Sequence, residues 1–184
     1  MMFWSDTQGS LEVITGPMFA GKSAELIKRL TILKIAKVNF MVFKPEFDTR
    51  FGEDQIVSRT GSNLKAISIS DTNDVWKHWT PEINAVAFDE THFFKEDIYE
   101  TVLKLIDKGV RVIVSGLDMD FAGKSFAITS ELLAIADHVS KLKAVCMKCF
   151  GQASMSYRKV KSNQRHLLGD SEYEARCRKC HKEK

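Results

Sequence analysis

Gly16-Pro17-Met18-Phe19-Ala20-Gly21-Lys22-Ser23 comes directly after Leu11-Glu12-Val13-Ile14-Thr15 and fits the pattern G-x-x-x-x-G-K-[ST]. The first five residues, Leu11 to Thr15, read as a buried strand. The stretch from residue 22 to about 37 carries Leu26, Ile27, Leu30, Leu33 and Ile35 at helical spacing. Strand, glycine loop and helix form the setting in which this pattern binds phosphate. Glycines let the backbone turn tightly, so that successive N–H groups and a helix N-terminus face one anion. All eight residues are therefore assigned to a nucleoside triphosphate, with Lys22 reaching the β- and γ-phosphates and Ser23 ligating Mg²⁺. The plain alternative is a glycine turn beside an exposed helix, and the flanking strand weighs against it.

Working outward, Asn39-Phe40-Met41-Val42-Phe43-Lys44, bounded by Pro45, reads as a second buried strand. From residue 45 to about 64 the pattern dissolves into charged and small residues, too long for an ordinary connection and so read as a functional or mobile loop. Residues 66–69 predict a short strand, and residues 71–79 a short helix capped by Ser70 or Asp71, with Trp76 and Trp79 on a core-facing side. Ala85-Val86-Ala87-Phe88 is the next strand, followed by a helix over about 95–108. A strand over 110–115, a loop over 116–125, a helix over 127–136 and a last strand over 138–144 complete the series. Strands alternating with helices require right-handed crossovers. The predicted fold is α/β, a P-loop NTPase-type mostly parallel sheet with helices on both faces, spanning residues 1–143.

At 184 residues and 44% hydrophobic, the chain can bury one core with a small appendage left over. No basic segment precedes an apolar stretch of signal length, and eighteen apolar residues nowhere run together. The expectation is a soluble, cytoplasmic protein with no membrane partner. Its four cysteines then read as metal ligands rather than disulfides. Cys146-Met147-Lys148-Cys149 and Cys177-Arg178-Lys179-Cys180 are two C-x₂-C knuckles separated by 27 residues. Such a set surrounds Zn²⁺ tetrahedrally with no open position, which makes the metal structural. Residues 144–184 are therefore predicted to form a small C-terminal zinc-binding lobe. Cys177 to His181 also spells the C-x-x-C-H of c-type haem attachment, but that reading leaves Cys146 and Cys149 unexplained.

Charge is unevenly spread. Residues 141–184 hold twelve Lys and Arg against four Asp and Glu, while the whole chain carries +3, so the remainder is net acidic. A basic lobe beside a phosphate site would attract a polyanionic nucleotide or touch nucleic acid. A solvated lysine-rich surface accounts for most of these residues equally well.

The strand ending in Asp89-Glu90 lies about 70 residues after the phosphate loop, where Walker-type sites place an acid that holds Mg²⁺ directly or through water. Glu90, one residue on, sits where a carboxylate can orient water or receive a hydroxyl proton. Several motifs now stand in order: the loop at 16–23, Phe43-Lys44-Pro45 with Asp48-Thr49-Arg50, and Phe88-Asp89-Glu90-Thr91-His92-Phe93-Phe94. After them come Gly116-Leu117-Asp118 with Phe121 and Phe126, and the cysteine knuckles around Tyr173. Together they resemble the thymidine kinases of the cellular and bacterial type, over residues 11 to 181.

The resemblance implies transfer of the γ-phosphoryl group of ATP to the 5′-hydroxyl of thymidine, and of deoxyuridine, in pyrimidine deoxynucleoside salvage. It implies Glu90 as general base, Asp89 supporting the metal, and Asp48 with Arg50 near the metal and the transferring phosphate. Arg50 and Lys22 would offset the charge that develops there. A lasso over residues 165–176 would cover the base, with Gly169 at its bend and Tyr173 closing over the sugar and base. Met18, Leu117, Phe121 and Phe126 match apolar walls of the pocket, and Ser156 a small hydroxyl near the 5-methyl group. Homotetrameric assembly and feedback inhibition by thymidine triphosphate are implied as well, with no nucleic-acid partner. The chain departs from the family at His92, where Gln is usual and which can still donate a hydrogen bond, and at Leu168, where a small residue is common. The competing reading is a zinc-ribbon P-loop ATPase stimulated by nucleic acid, for which the chain offers little room for a second motor lobe.

Overall fold

A computed structural model describes residues 8–48, 55–59, 61–95, 97–161 and 169–183. The chain opens with β1 (Ser10–Thr15), α1 (Lys22–Ile35) and β2 (Phe40–Pro45). A hairpin of β3 (Gln55–Val57) and β4 (Asn63–Lys65) leads to β5 (Ile67–Ile69), and a 3-10 turn (Thr72–Asp74) to α2 (Val75–His78). β6 (Ala85–Phe88), a second 3-10 turn (Thr91–Phe93), α3 (Asp97–Asp107), β7 (Arg111–Gly116), α4 (Ala127–Ile135) and β8 (His138–Lys141) follow. The C-terminal part holds β9 (Ala144–Val145), β10 (Gln152–Ala153), β11 (Met155–Arg158), β12 (Tyr173–Arg176) and α5 (Arg178–Lys182).

Six strands form one sheet in the order β5-β2-β6-β7-β1-β8, with every neighbouring pair parallel. The alternation of side chains along each strand divides the apolar runs between two faces. Leu11, Val13, Phe43, Val86, Phe88, Val112 and Val114 join α3 and α4 in one core, with Val75 of α2. Ile14, Val42, Ala85, Ala87 and Ile113 pack on the other face against Leu26, Ile27, Leu30 and Leu33 of α1. Helices thus cover both faces, as the alternating sequence requires. Leu26, Leu30 and Leu33 are wholly buried, and each such burial stabilises the fold by about 1.5–3 kcal/mol.

The differences from the sequence reading are local. Residues 45–64 are not all irregular, because the β3–β4 hairpin pairs Gln55 with Lys65 and Val57 with Asn63. The last strand stops at Lys141 rather than reaching 144. There the Leu142 N–H donates to the Thr15 carbonyl, and Gly16 passes so close that a Cβ on it would lie 2.5 Å from the Leu142 oxygen. Asp71, not Ser70, caps the 3-10 turn, its side chain accepting the Asn73 N–H. Trp76 and Trp79 meet edge to face and pack on the larger core. Among the described residues, no helix is long and apolar enough to cross a membrane.

The C-terminal part is built of two antiparallel pairs, β9 with β10 and β11 with β12. Its own buried cluster is small: Ala144, Cys146, Ala153, Ala175 and Cys180. Phe19 and Ala20 of the loop after β1 pack against that cluster, so this part rests on the phosphate loop.

Candidate active site

Three parallel neighbours end side by side. Thr15 of β1 pairs with Gly116 of β7, and Phe88 of β6 with Val114 of β7. The segments that leave these ends, residues 16–23, 89–94 and 117–126, therefore converge at the carboxyl edge of the sheet, where ligands bind in open α/β folds. Gly16, Phe19 and Gly21 all have positive φ, at 141°, 66° and 81°. At Gly21 this left-handed turn delivers the chain into α1 at Lys22. Lys22 Nζ donates to the Pro17 carbonyl at 2.9 Å, spanning the loop. The Met18 N–H donates to Ser156 Oγ on β11 at 3.0 Å, joining the loop to the C-terminal part.

On the acidic side, Ser23, Lys44, Asp48, Asp89 and Glu90 line one cleft with Gln55, Ile56 and Val57. Asp89 is buried, and its Oδ1 accepts the Glu90 N–H at 3.0 Å. Burial, and next the charge of Glu90, push the Asp89 carboxyl up to about 6. Glu90 itself has φ 51° and ψ 41°, a left-handed conformation that costs a non-glycine residue free energy and that recurs at functional sites. The Lys44 ammonium, 2% exposed, donates to the Asp48 carbonyl at 3.0 Å and holds the turn after β2.

The segment that follows β7 carries apolar side chains. Leu117 accepts the Thr129 hydroxyl on its carbonyl, and its N–H donates to His92 Nδ1 at 3.1 Å. Phe126 is buried with its ring centroid 5.0 Å from that of His92. Phe121 lies beneath the guanidinium of Arg158, 3.7 Å from ring centroid to Cζ. Arg158 also donates to the Tyr173 hydroxyl from Nε at 3.2 Å and Nη2 at 2.8 Å, so β11 and β12 are cross-linked beside Phe121. Gly169 turns with φ 142°, three residues ahead of Glu172.

The four cysteines come together. The Sγ atoms of Cys146, Cys149, Cys177 and Cys180 all lie within 4.8 Å of one another, and those of Cys149 and Cys177 are 3.8 Å apart. A tetrahedron with Zn–S bonds of about 2.3 Å has edges of about 3.8 Å, so the donor set and spacing fit Zn²⁺. The four cysteines could hold a zinc ion. Burial opposes ionisation of Cys146, yet N–H groups of Cys177, Cys149 and Lys148 bring its thiol down to about 6. Burial pushes Cys180 up to about 12. The cluster thus favours at least one thiolate even before a cation arrives.

Arg50 and Leu168, and the first part of the predicted 165–176 lasso, residues 165–168, lie outside the described residues. The other sequence candidates are among the described residues, and of them Ser23, Asp48, Asp89 and Glu90 line one cleft. Two neighbours were missed. A lysine within the apolar run 40–45 was the available signal for Lys44, since a buried ammonium needs a reason. Arg158 carries no such signal, because its partners come from distant segments.

A parallel sheet with a glycine-bearing loop of the G-x-x-x-x-G-K-[ST] pattern and a buried carboxylate at its carboxyl edge defines an α/β protein of the P-loop class. The thymidine kinase family model matches residues 9–181. The thymidine kinase of Mycoplasma mobile is 49% identical over 183 residues, covering 99% of this chain and 92% of that protein. That of Metamycoplasma arthritidis is 48% identical over 182 residues, covering 98% and 94%. The chain belongs to the thymidine kinase family.

Proposed function

We propose that this protein is an ATP-dependent deoxynucleoside kinase that transfers the γ-phosphoryl group of ATP to the 5′-hydroxyl of thymidine, and of deoxyuridine, in nucleotide salvage for DNA synthesis. Family membership supports the activity. The observation that carries the residue roles is the single cleft lined by Ser23, Asp48, Asp89 and Glu90 beside the phosphate loop.

In this reading residues 1–143 bind ATP and residues 144–184 form the zinc-held lobe. Backbone N–H groups of Gly16, Pro17-flanking Met18, Phe19, Ala20 and Gly21 surround the triphosphate, and Lys22 moves from the Pro17 carbonyl onto it. Mg²⁺ bound with ATP would supply charge neutralisation, and Ser23 and Asp89 are the hard oxygen donors that would hold it. Glu90 accepts the proton of the 5′-hydroxyl as the new P–O bond forms. Little basicity is required, because the alcohol needs to lose its proton only late in a loose transition state. Asp48 and Arg50 orient and neutralise the transferring group. Met18, Leu117, Phe121 and Phe126 wall the base, Ser156 lies near its 5-substituent, and Gly169 and Tyr173 belong to the cover over the sugar. Zn²⁺ held by the four cysteines fixes both ends of a segment too small to build its own core. A cytoplasmic location, homotetrameric assembly and inhibition by thymidine triphosphate complete the proposal and rest on the resemblance.

The test is Glu90→Gln assayed with thymidine and Mg·ATP. The carboxamide keeps size and removes the base, so kcat falls by about 100-fold while ATP affinity stays within about twofold. An unchanged kcat removes Glu90 from this role.

A further inference from the structure

The ring of His92 stands between the base wall and the proposed general base, and the two nitrogens have different tasks. A backbone N–H can only donate, so the 3.1 Å contact from the Leu117 N–H makes His92 Nδ1 an acceptor. The neutral ring therefore carries its proton on Nε2. Nε2 faces Glu90 Oε2 at 3.6 Å, with the His92 side chain 1% exposed and that of Glu90 16% exposed. This separation is longer than a hydrogen bond, and catalytic contacts commonly tighten when substrate closes a site. Packing fixes the ring on both sides: its centroid is 4.2 Å from that of Phe93 and 5.0 Å from that of Phe126. Gly116 lies close against this turn, since a Cβ there would stand 3.2 Å from the Thr91 backbone nitrogen and 3.3 Å from that of His92.

We propose that His92 is a positioning residue: its Nδ1 reads the Leu117 backbone of the nucleoside wall, and its Nε2–H steers the Glu90 carboxylate toward the acceptor hydroxyl. The inference rests on the reading of Glu90 as general base. The physical need is a side chain that accepts at one end and donates at the other. Glu90 sits in a left-handed backbone conformation at the start of a 3-10 turn, so its side-chain direction is not set by a regular helix or strand. A donor fixed to the Leu117 segment couples that direction to seating of the nucleoside. Because Leu117 bonds the ring through its backbone, a substitution at position 117 leaves this link in place, whereas His92→Leu breaks both ends.

Among uncharged residues, Gln reproduces the pairing of one acceptor and one donor, and Leu reproduces neither. The experiment compares His92→Gln, His92→Leu, Glu90→Gln and the His92→Leu/Glu90→Gln pair, by steady-state kinetics with thymidine and Mg·ATP and by thermal melts. His92→Leu is expected to lower kcat by about tenfold with the KM for ATP within about twofold, and His92→Gln to restore kcat to within about threefold. On the Glu90→Gln background, His92→Leu is expected to cost nothing further, the sign that it acts through that carboxylate. Equal losses in the Gln and Leu variants make His92 a packing residue and overturn the proposal. So does a His92→Leu loss that multiplies with that of Glu90→Gln, or a His92→Leu enzyme as fast as the parent. In these cases a large Glu90→Gln loss leaves the base reading standing; a Glu90→Gln enzyme of normal kcat overturns both. If His92→Leu melts far below the parent, the Gln variant, which keeps both hydrogen-bonding ends, decides by the same criterion.

Discussion

The sheet and the cysteine-bearing C-terminal part reach one site by opposite physical means. The sheet faces bury two large apolar clusters, from Leu11 to Leu132 on one side and from Ile14 to Ile113 on the other. The apolar cluster of the C-terminal part is Ala144, Cys146, Ala153, Ala175 and Cys180, two of them cysteines. Ridges of hydrophobic contact can hold a strand end in place without help. A cluster of five small side chains cannot offset the conformational entropy of its strands, and a metal bond can. The half that carries the glycine loop is thus held by burial, and the half proposed to cover the nucleoside would be held by coordination.

The sharpest way to break this contrast is to injure each half in its own manner. Leu30→Ala empties a fully buried position between α1 and the sheet. It should cost about 3 kcal/mol of global stability, within the 2–5 kcal/mol range of such truncations. ATP and thymidine binding should then disappear at the same temperature in a melt followed by both ligands. Next in size, Cys177→Ser removes one of four sulfurs within 4.8 Å of one another. Metal content by mass spectrometry should fall well below about one per chain, and the KM for thymidine should rise roughly tenfold while that for ATP moves less than about threefold. Amide exchange should quicken in β9 to β12 and not in β6 or β7. Equal weakening of both substrates would mean that the lobe is part of the sheet's cooperative unit, and the contrast would fail.

A smaller effect isolates the cost of keeping an acid within the burial-built half. The Asp89 carboxyl is pushed up to about 6 from an ordinary 3.8, chiefly by burial. Between those two values the folded protein binds more protons at this site than the unfolded chain, so the metal-free fold loses stability as pH rises through the window. Asp89→Asn should therefore raise the melting temperature of the metal-free protein by a few degrees at pH 7.5, on the order of 1–2 kcal/mol, while abolishing turnover. The gain should vanish near pH 4. A melt that shows the same difference at both pH values would place the cause elsewhere than in this titration.

The two halves also differed in how they could be read. Gly16 to Ser23 was legible because phosphate binding dictates where glycine and lysine must stand, and Ala85 to Phe88 because burial on both faces leaves an unbroken apolar run. The cysteines were legible because tetrahedral sulfur ligation fixes their spacing. The β3–β4 hairpin was not, since its strands are three residues each, with one buried side chain, Ile56, among the six. Nor was the contact of Met18 with Ser156 or of Arg158 with Tyr173 and Phe121. Such pairings join segments far apart in the chain, and no local period records them. Glu90 could be named as an acid after a strand, but its left-handed backbone and its His92 neighbour belong to the tertiary structure.

The smallest expected effect tests whether polar contacts or the metal hold the cover together. Tyr173 is buried on β12, and its hydroxyl accepts two N–H groups from Arg158, whose guanidinium also lies over the Phe121 ring. Tyr173→Phe keeps the ring and deletes that acceptor. The guanidinium keeps its cation–π contact, so the loss should be about 0.5–1 kcal/mol, seen as roughly a threefold rise in the KM for thymidine with kcat nearly unchanged. Metal content and the melting temperature should not move, because the sulfurs anchor β12 through Cys177 and Cys180 at its far end. Release of zinc by this single hydroxyl deletion would show that side-chain contacts on β11 and β12 hold the cysteines in place, rather than the reverse.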